Sequence, residues 1–330
     1  MQNRISIAMA TFNGEAFIGE QLESFLAQTA MPDELVISDD GSIDSTVSVT
    51  KTCMDGSSVE LLLKQNSHTL GYAQNFNTAL RLASGDIIFL SDQDDVWLEN
   101  KIKIVKKAFE ANPEKYLIIH DLEYCDENLQ PIGQTKLERL NSIGATERSF
   151  VTGMATAVRK EFLNVCLPIP KNALITHDLW LHECAHVLNV KIVLPEVLAL
   201  YRRHDLNVTA DSVINSGKKT NFFSFIKSVD GKETKNSLER KGAVLRELML
   251  WFQRADVIRF CQKITSMKQS SLSKKRRTLE HELAQTEKRL KLYDKNRPIR
   301  LFAAIKLYLE GGYVEFMGVK SLIKDILAKV

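Results

Sequence analysis

Short, almost wholly apolar runs alternate with longer amphipathic stretches through the first 120 residues, and this alternation restricts the fold more than any other feature of the chain. RISIAMA (4–10), ELVISDD (34–40), VELLLK (59–64), DIIFLSD (86–92) and YLIIH (116–120) have the length and continuous hydrophobicity of strands buried on both faces. Between them Phe17, Ile18, Leu22, Phe25 and Leu26 share one face of a helix predicted over 17–28. Further helices are predicted over 42–54, 72–83 and 96–111, the last stopped by Asn112 and Pro113. Strands of this kind, linked by crossover helices, form a mostly parallel sheet flanked by helices, an α/β fold. Farther along, 149–159 reads as a strand, 177–188 as a helix and 190–204 as strands around Pro195. Beyond residue 215 proline almost vanishes and helices are expected.

In such a sheet ligands bind beyond the carboxyl ends of the strands, where the strand order reverses. Polar clusters follow three of the strands: TFNGE (11–15), DDGSIDST (39–46) and SDQDDVW (91–97). The last places Asp92, Asp94 and Asp95 within four positions. Carboxylates so close repel one another unless a cation neutralises them. Hard oxygen donors without a nearby cysteine favour Mg2+ or Mn2+, shared with substrate phosphates. Asp95 alone has a plainer reading, as the cap of a helix opening at Val96. DDGSIDST by itself reads as a tight turn and helix cap, although Asp39 and Asp40 also suit ribose hydroxyls or a base N–H. Neither GxGxxG nor GxxxxGK[ST] follows any strand, so a bound phosphate must be neutralised in another way, which the metal supplies.

Charge divides the chain. Residues 211–330 hold 26 Lys/Arg and 13 Asp/Glu, a net of +13, whereas the first 210 hold 18 and 28, a net of −10. The expected organisation is an acidic, strand-containing domain over 1–210 and a basic, mainly helical region over 211–330. The second region suits an anionic membrane surface or another polyanion, or is simply a solvated helix bundle. Within it Phe316, Val319, Ile323, Ile326 and Val330 form an apolar stripe that would pack on the body, on a second subunit or at an anionic bilayer. KKRR (274–277) lacks the interleaved aromatics of RNA-binding surfaces, so no nucleic-acid partner is expected. Five scattered cysteines, no apolar run of 18 residues and no secretory h-region lead to an expected cytoplasmic location, with peripheral contact at the inner face of the membrane.

Taken in order, TFNGE, QLESFLAQT (21–29), DDGSIDST, the NxxxxGYAQNFN stretch (66–77), SGDIIFLSDQDDVW (84–97), VTGMATAVRKEF (151–162), HDLW (177–180) and LYRRHDLNVT (200–209) resemble family 2 glycosyltransferases. SDQDDVW and YRRH look most like the rhamnosyltransferase-type branch, and the likeness spans roughly residues 3–210. It implies a GT-A fold and an inverting, Mn2+- or Mg2+-dependent transfer of a sugar, rhamnose in that branch. The donor would be a nucleotide-diphospho-sugar and the acceptor a hydroxyl of a glycan or lipid-linked molecule in surface polysaccharide synthesis. By the same resemblance Thr11, Asn13 and Asp40 line the nucleoside pocket. Asp92 and Asp94 form the DxD motif, with Asp94 on the metal and Asp92 nearer the ribose or donor sugar. Asp178 corresponds to the general base, and His204 to a further metal or diphosphate ligand. Arg202 or Arg203 would contact phosphate, and His177 and Gly153 would lie on the acceptor side. The chain departs from the family at His177, where an acidic residue is common, and at Phe12, where tyrosine is frequent. Two other classes compete: a sugar-nucleotide nucleotidyltransferase, whose Gly-rich basic loop TFNGE lacks, and a non-catalytic nucleotide- or polyanion-binding module.

Overall fold

The structure, a computed structural model, describes residues 3–204, 231–264, 269–314, 316 and 318–328. The DLNVT end of the 200–209 segment and Val330 lie outside the described residues. Internal packing divides the chain into two compact units, Met1–Lys171 with Thr176–Asp211, and Ser212–Val330 with Asn172–Ile175.

The first unit begins as the apolar runs predict. Strands β1 (Ile5–Thr11), β2 (Glu34–Asp39), β3 (Glu60–Gln65) and β4 (Ile87–Ser91) lie parallel in the order β3-β2-β1-β4. They are joined through helices α1 (Ile18–Leu26), α2 (Thr46–Met54) and α3 (Tyr72–Leu82). Every residue of β2 and β4 is buried, which is why their runs over 35–37 and 87–90 are apolar without alternation. The other half of the sheet is mixed. Beyond β4 come β8 (Thr156–Arg159), β6 (Leu117–Cys125), β9 (Lys191–Arg202) and β5 (Val96–Trp97), while β7 (Pro131–Thr135) pairs with β6. Strand β8 runs antiparallel to β4 and β6, β9 parallel to β6, and β5 antiparallel to β9. Helices α4 (Lys101–Ala111), α5 (Lys136–Ser142), α6 (Lys160–Cys166) and α7 (His177–Leu188) complete the unit.

Three local expectations change, each through a tertiary contact. The helix predicted from Val96 starts at Lys101, because Val96 and Trp97 pair with Leu200 and Ala199. Trp97 is thereby buried edge-on against Phe25, with ring centroids 4.6 Å apart, and Asp95 caps nothing. Of the strand predicted over 149–159 only Thr156–Arg159 forms, and Gly153–Ala155 is a 3-10 turn. Strand β9 runs through Pro195 unbroken. Its ladder with β6 passes from Leu194↔His120 to Val197↔Asp121, so Pro195 sits at an irregularity where its missing N–H costs no ladder bond.

The second unit is helical: α8 (Gly231–Trp251), α9 (Ala255–Ile264), α10 (Gln269–Leu290), α11 (Arg297–Leu309) and α12 (Val319–Leu327). Leu238, Leu292, Tyr293, Leu307 and Tyr313 form its core. Inside it the fully buried Asp325 receives Arg289 Nε and Nη2, each at 2.8 Å, Tyr293 OH at 2.9 Å and Tyr313 OH at 2.8 Å. Of the stripe predicted over 316–330, Phe316 and Ile326 pack on this core beside Leu322, whereas Val319 is 52% exposed. Among the described residues no helix is long and apolar enough to cross a membrane.

Candidate active site

Strand β1 has β2 on one side and β4 on the other, so the strand order reverses between β1 and β4. The segments leaving Thr11 and Ser91 open at that crevice, where an open α/β sheet offers its ligand site. Thr11 is buried, and its hydroxyl donates to Asp39 Oδ1 at 2.9 Å. Asp39 also accepts from the backbone N–H of Ser42 at 2.9 Å, closing the turn after β2. Asn13 has a left-handed backbone (φ 47°), and its Oδ1 accepts from Ile43 N–H at 3.0 Å. Ser42 Oγ in turn accepts from Asn13 N–H at 2.9 Å, so the loops after β1 and β2 are laced together. Asp40 is buried and holds a third segment: its carboxylate accepts from Leu70 N–H at 2.8 Å, Gly71 N–H at 2.9 Å and Asn66 Nδ2 at 3.2 Å. Three of roughly four acceptor positions on that carboxylate are thus taken.

The acidic segment after β4 is held by residues of several elements. Gln93 bridges it to the loop after β1, its Oε1 accepting from Phe12 N–H at 2.9 Å and its Nε2 donating to Phe12 O at 3.1 Å. This contact requires Gly14, since a Cβ there would lie 2.4 Å from the Gln93 side chain. Asp95 is buried, with Oδ1 accepting from Arg202 N–H at 3.1 Å and Oδ2 left without a partner. Asp94 Oδ2 lies 2.9 Å from His204 Nε2, and the His204 ring stacks on Phe17 at 4.5 Å. Burial, followed by the negative charges of Asp94 and Asp178, pushes the Asp92 carboxyl up to about 8. Burial also raises Asp95 well above the ordinary carboxylate range, with Asp94 and Asp92 adding to it.

Asp178 approaches from α7. Thr176, the N-cap, donates its hydroxyl to Asp178 Oδ1 at 2.5 Å, and Leu179 N–H donates to the same oxygen at 2.8 Å. His177 is turned inward and 1% exposed, stacked on Phe76 with ring centroids 3.7 Å apart. Neither of its ring nitrogens has a hydrogen-bond partner, and burial lowers its pKa to about 4. Gly153 permits this packing, because a Cβ there would lie 2.7 Å from His177 Nε2. Tyr72 lies edge-on to His177 at 5.1 Å, and its hydroxyl is raised by burial and by the charges of Asp178 and Asp92.

The structure brings together Asp92, Asp94, Asp178 and His204, with His177 and Gly153 packed beside Asp178. Thr11, Asn13 and Asp40 lie along the loops after β1 and β2. Arg202 is engaged with protein groups. That side chain is buried, with its guanidinium directed to the Asp94 carbonyl at 3.0 Å, the Glu127 carbonyl and the Glu20 carboxylate. Sequence reasoning missed Lys101, which is fully buried, donates to Met154 O at 2.7 Å and sits 3.6 Å over the Trp97 ring. Its placement on the face of Ile102, Val105 and Phe109 was the available signal, since a lysine in an apolar helical stripe needs a buried partner.

The donor chemistry suits a hard divalent cation, for Asp94 and His204 offer oxygen and nitrogen, and burial and nearby negative charge raise the neighbouring carboxyls of Asp92 and Asp95. Among the described residues no three His, Cys, Asp or Glu side chains form a complete metal cage. Such a pair fits an ion whose other ligands come from substrate phosphate and water.

A half-parallel sheet with an acidic cluster at its switch point defines a GT-A-type α/β protein. Residues 6–176 match the family model for glycosyl transferase family 2, and the chain belongs to that family. A glycosyltransferase of Nostoc sp. is 27% identical over 216 residues, covering 62% of this chain and 66% of its own. The dTDP-rhamnosyl transferase RfbG of Shigella flexneri is 36% identical over 99 residues, 29% of this chain and 34% of its own. An Escherichia coli protein, the UDP-Glc:alpha-D-GlcNAc-diphosphoundecaprenol beta-1,3-glucosyltransferase WfgD, is 36% identical over 100 residues, 30% of this chain and 38% of its own. The matches thus span from about a third to just under two thirds of those relatives' length. In fold, the chain resembles Staphylococcus aureus TarS 1–349, solved in complex with UDP-GlcNAc, at a TM-score of 0.59 and 15% identity over 98% of this chain and 89% of that one. It also resembles a Pyrobaculum calidifontis mannosyltransferase, solved with GDP-Man and Mn2+, at a TM-score of 0.50 and 15% identity over 99% and 85%.

Proposed function

We propose that the protein is an inverting, metal-dependent glycosyltransferase. It moves a sugar from a nucleotide-diphospho-sugar to a hydroxyl of a glycan or lipid-linked acceptor in surface polysaccharide synthesis. The observation that carries this reading is the convergence of three carboxylates from two segments. Asp92 and Asp94 follow β4 and Asp178 opens α7, close enough that Asp94 and Asp178 both raise the Asp92 pKa. The rhamnosyl and lipid-linked glucosyl transferases among the relatives support a hexose or deoxyhexose donor and a lipid-carried acceptor. The Mn2+ in the mannosyltransferase structure supports a divalent cation.

In this reading Thr11, Asn13 and Asp40 line the nucleoside end of the crevice, and Asp92 faces the ribose and donor sugar. Asp94 and His204 would hold Mn2+ or Mg2+, which when bound offsets the charge of the leaving diphosphate. Asp178 takes the proton of the acceptor hydroxyl. The two hydrogen bonds to its Oδ1 orient the carboxylate for that transfer. Attack from the face opposite the diphosphate, in one displacement, inverts the anomeric centre. His177, buried and neutral, supports Asp178 from behind, and Gly153 lets the acceptor-side turn approach. Residues 1–210 form the catalytic domain, and 211–330 the basic region that meets the inner face of the membrane.

The test is a panel of dTDP-rhamnose, UDP-Glc, UDP-GlcNAc and GDP-Man, with and without Mn2+, read by thermal stabilisation and by donor hydrolysis. One donor should stabilise the protein in a cation-dependent way. Asp94→Ala should remove that effect, whereas Asp178→Asn should keep donor binding and lose transfer. Transfer that survives both substitutions sinks the reading.

A further inference from the structure

Two members of the apolar stripe expected over 316–330, Phe316 and Ile326, pack on the core of the helical unit, and a different helix carries a broader apolar face outward. Helix α11 buries Arg300, Ala304 and Leu307. On its other side Phe302 is 73% exposed, Leu309 80%, and Leu301, Ile305 and Tyr308 between 37% and 40%. At about 100° per residue these five fall within an arc of about 120°. Val314, 78% exposed, extends the patch beyond the helix end. Among the described residues of the α/β unit, Phe12, Met31, Ile43, Ile132 and Ile143 are exposed on several loops and a strand, and none of its helices presents such a face. An apolar patch so concentrated has an occupant.

Charge selects that occupant. The C-terminal 120 residues carry a net of +13, and Lys291, Lys295, Arg297 and Lys320, on or beside α11 and α12, are all exposed. A second copy presenting the same face would set like charge against like charge. The acidic unit of another copy offers only scattered apolar side chains. An anionic bilayer supplies both complements at once, negative headgroups and an apolar interior.

We propose that α11 is an interfacial helix that lies on an anionic lipid bilayer. Phe302, Ile305 and Leu309 enter the boundary between headgroups and acyl chains, and the basic groups of the same unit meet lipid phosphate. This gives the membrane contact of the preceding section a definite surface, and its test requires no turnover.

The full chain is sedimented with vesicles of phosphatidylcholine alone or mixed with phosphatidylglycerol. The wild type should pellet with the mixed vesicles and stay in solution with the neutral ones. The exposed double substitution Phe302→Ser, Leu309→Ser should weaken that partition at least tenfold with an unchanged helical circular dichroism spectrum. Phe302→Trp should be quenched by lipid brominated in its acyl chains. The proposal is overturned if the double variant pellets like the wild type or the wild type fails to pellet. It is also overturned if the wild type forms a lipid-free dimer that the substitutions dissociate. Donor-induced stabilisation, measured on the same preparations, reports on the transferase reading separately.

Discussion

The two units of this protein bury aspartate in opposite ways. In the helical unit Asp325 is closed on every side, by both arms of the Arg289 fork and by two tyrosine hydroxyls. Burial and the Asp325 charge raise both phenols, which keeps them protonated as donors. In the α/β unit burial pushes up Asp92 and Asp95, with Asp94 and Asp178 adding to the first and Asp94 and Asp92 to the second, and Asp95 Oδ2 has no partner. Lys101 opposes both shifts, yet burial lowers its own ammonium far below the ordinary lysine value. A carboxylate serving the fold is surrounded by donors. A cluster left with uncompensated repulsion is instead arranged for something that arrives, and strained titratable groups gather where chemistry is done.

That contrast is most exposed to failure at Asp178 and Asp94. Asp178→Asn should lower kcat by about 10²–10⁴-fold while the melting temperature barely moves. An equal loss of stability would make the residue structural and erase the distinction. Next in size, Asp325→Ala leaves the Arg289 charge buried and unpaired, and should cost the helical unit about 3–5 kcal/mol in urea titrations. A loss below about 1 kcal/mol would show that the tyrosines alone hold the site.

His177 predicts a pH dependence. Its folded pKa of about 4 lies below the ordinary 6.5, so between these values the unfolded chain binds more protons. Stability therefore falls as pH drops through that window, by up to about 3 kcal/mol at 1.36 kcal/mol per pH unit. His177→Phe should flatten that part of the stability–pH curve.

Asp92→Asn should act with the sign opposite to Asp325→Ala, because burial makes the Asp92 carboxyl, with its pKa pushed up to about 8, take up a proton at neutral pH that an amide does not need. A gain of about 0.5–2 kcal/mol is expected at neutral pH without added cation, at the expense of activity. The folded pKa of Asp92 lies above its ordinary 3.8, so this gain should vanish in acid, where folded and unfolded carboxyls are both protonated. Smallest of all, Arg276→Ala breaks an exposed pair with Glu280, 3.0 Å apart, and should change stability by less than about 0.5 kcal/mol.

Much of the site was legible where chemistry sits on a regular element. Asp92 and Asp94 end an apolar strand, and Asp178 opens a helix whose N-cap Thr176 is local. His204 was legible as a candidate ligand, but its position 2.9 Å from Asp94 depends on β9 lying beside β5 across more than a hundred residues of chain. Lys101 was missed, and the partners of Arg202 were not legible, for one reason. A cation's role depends on which carbonyl or carboxylate it meets, and those partners come from Glu20, Asp94, Glu127 and Met154.

By itself the sequence determined the layered α/β body, its parallel opening strands and the acidic loops at their ends, because hydrophobic period and turn chemistry are local. It also determined the charge division near residue 210. Tertiary structure alone decided that Val96 and Trp97 form a strand and that 153–155 is a turn packed on His177. It likewise decided that Phe316 and Ile326 turn inward while α11 keeps an apolar face outward. An amphipathic pattern states that a face must be covered, and only the packed molecule decides which helix is covered by its neighbours.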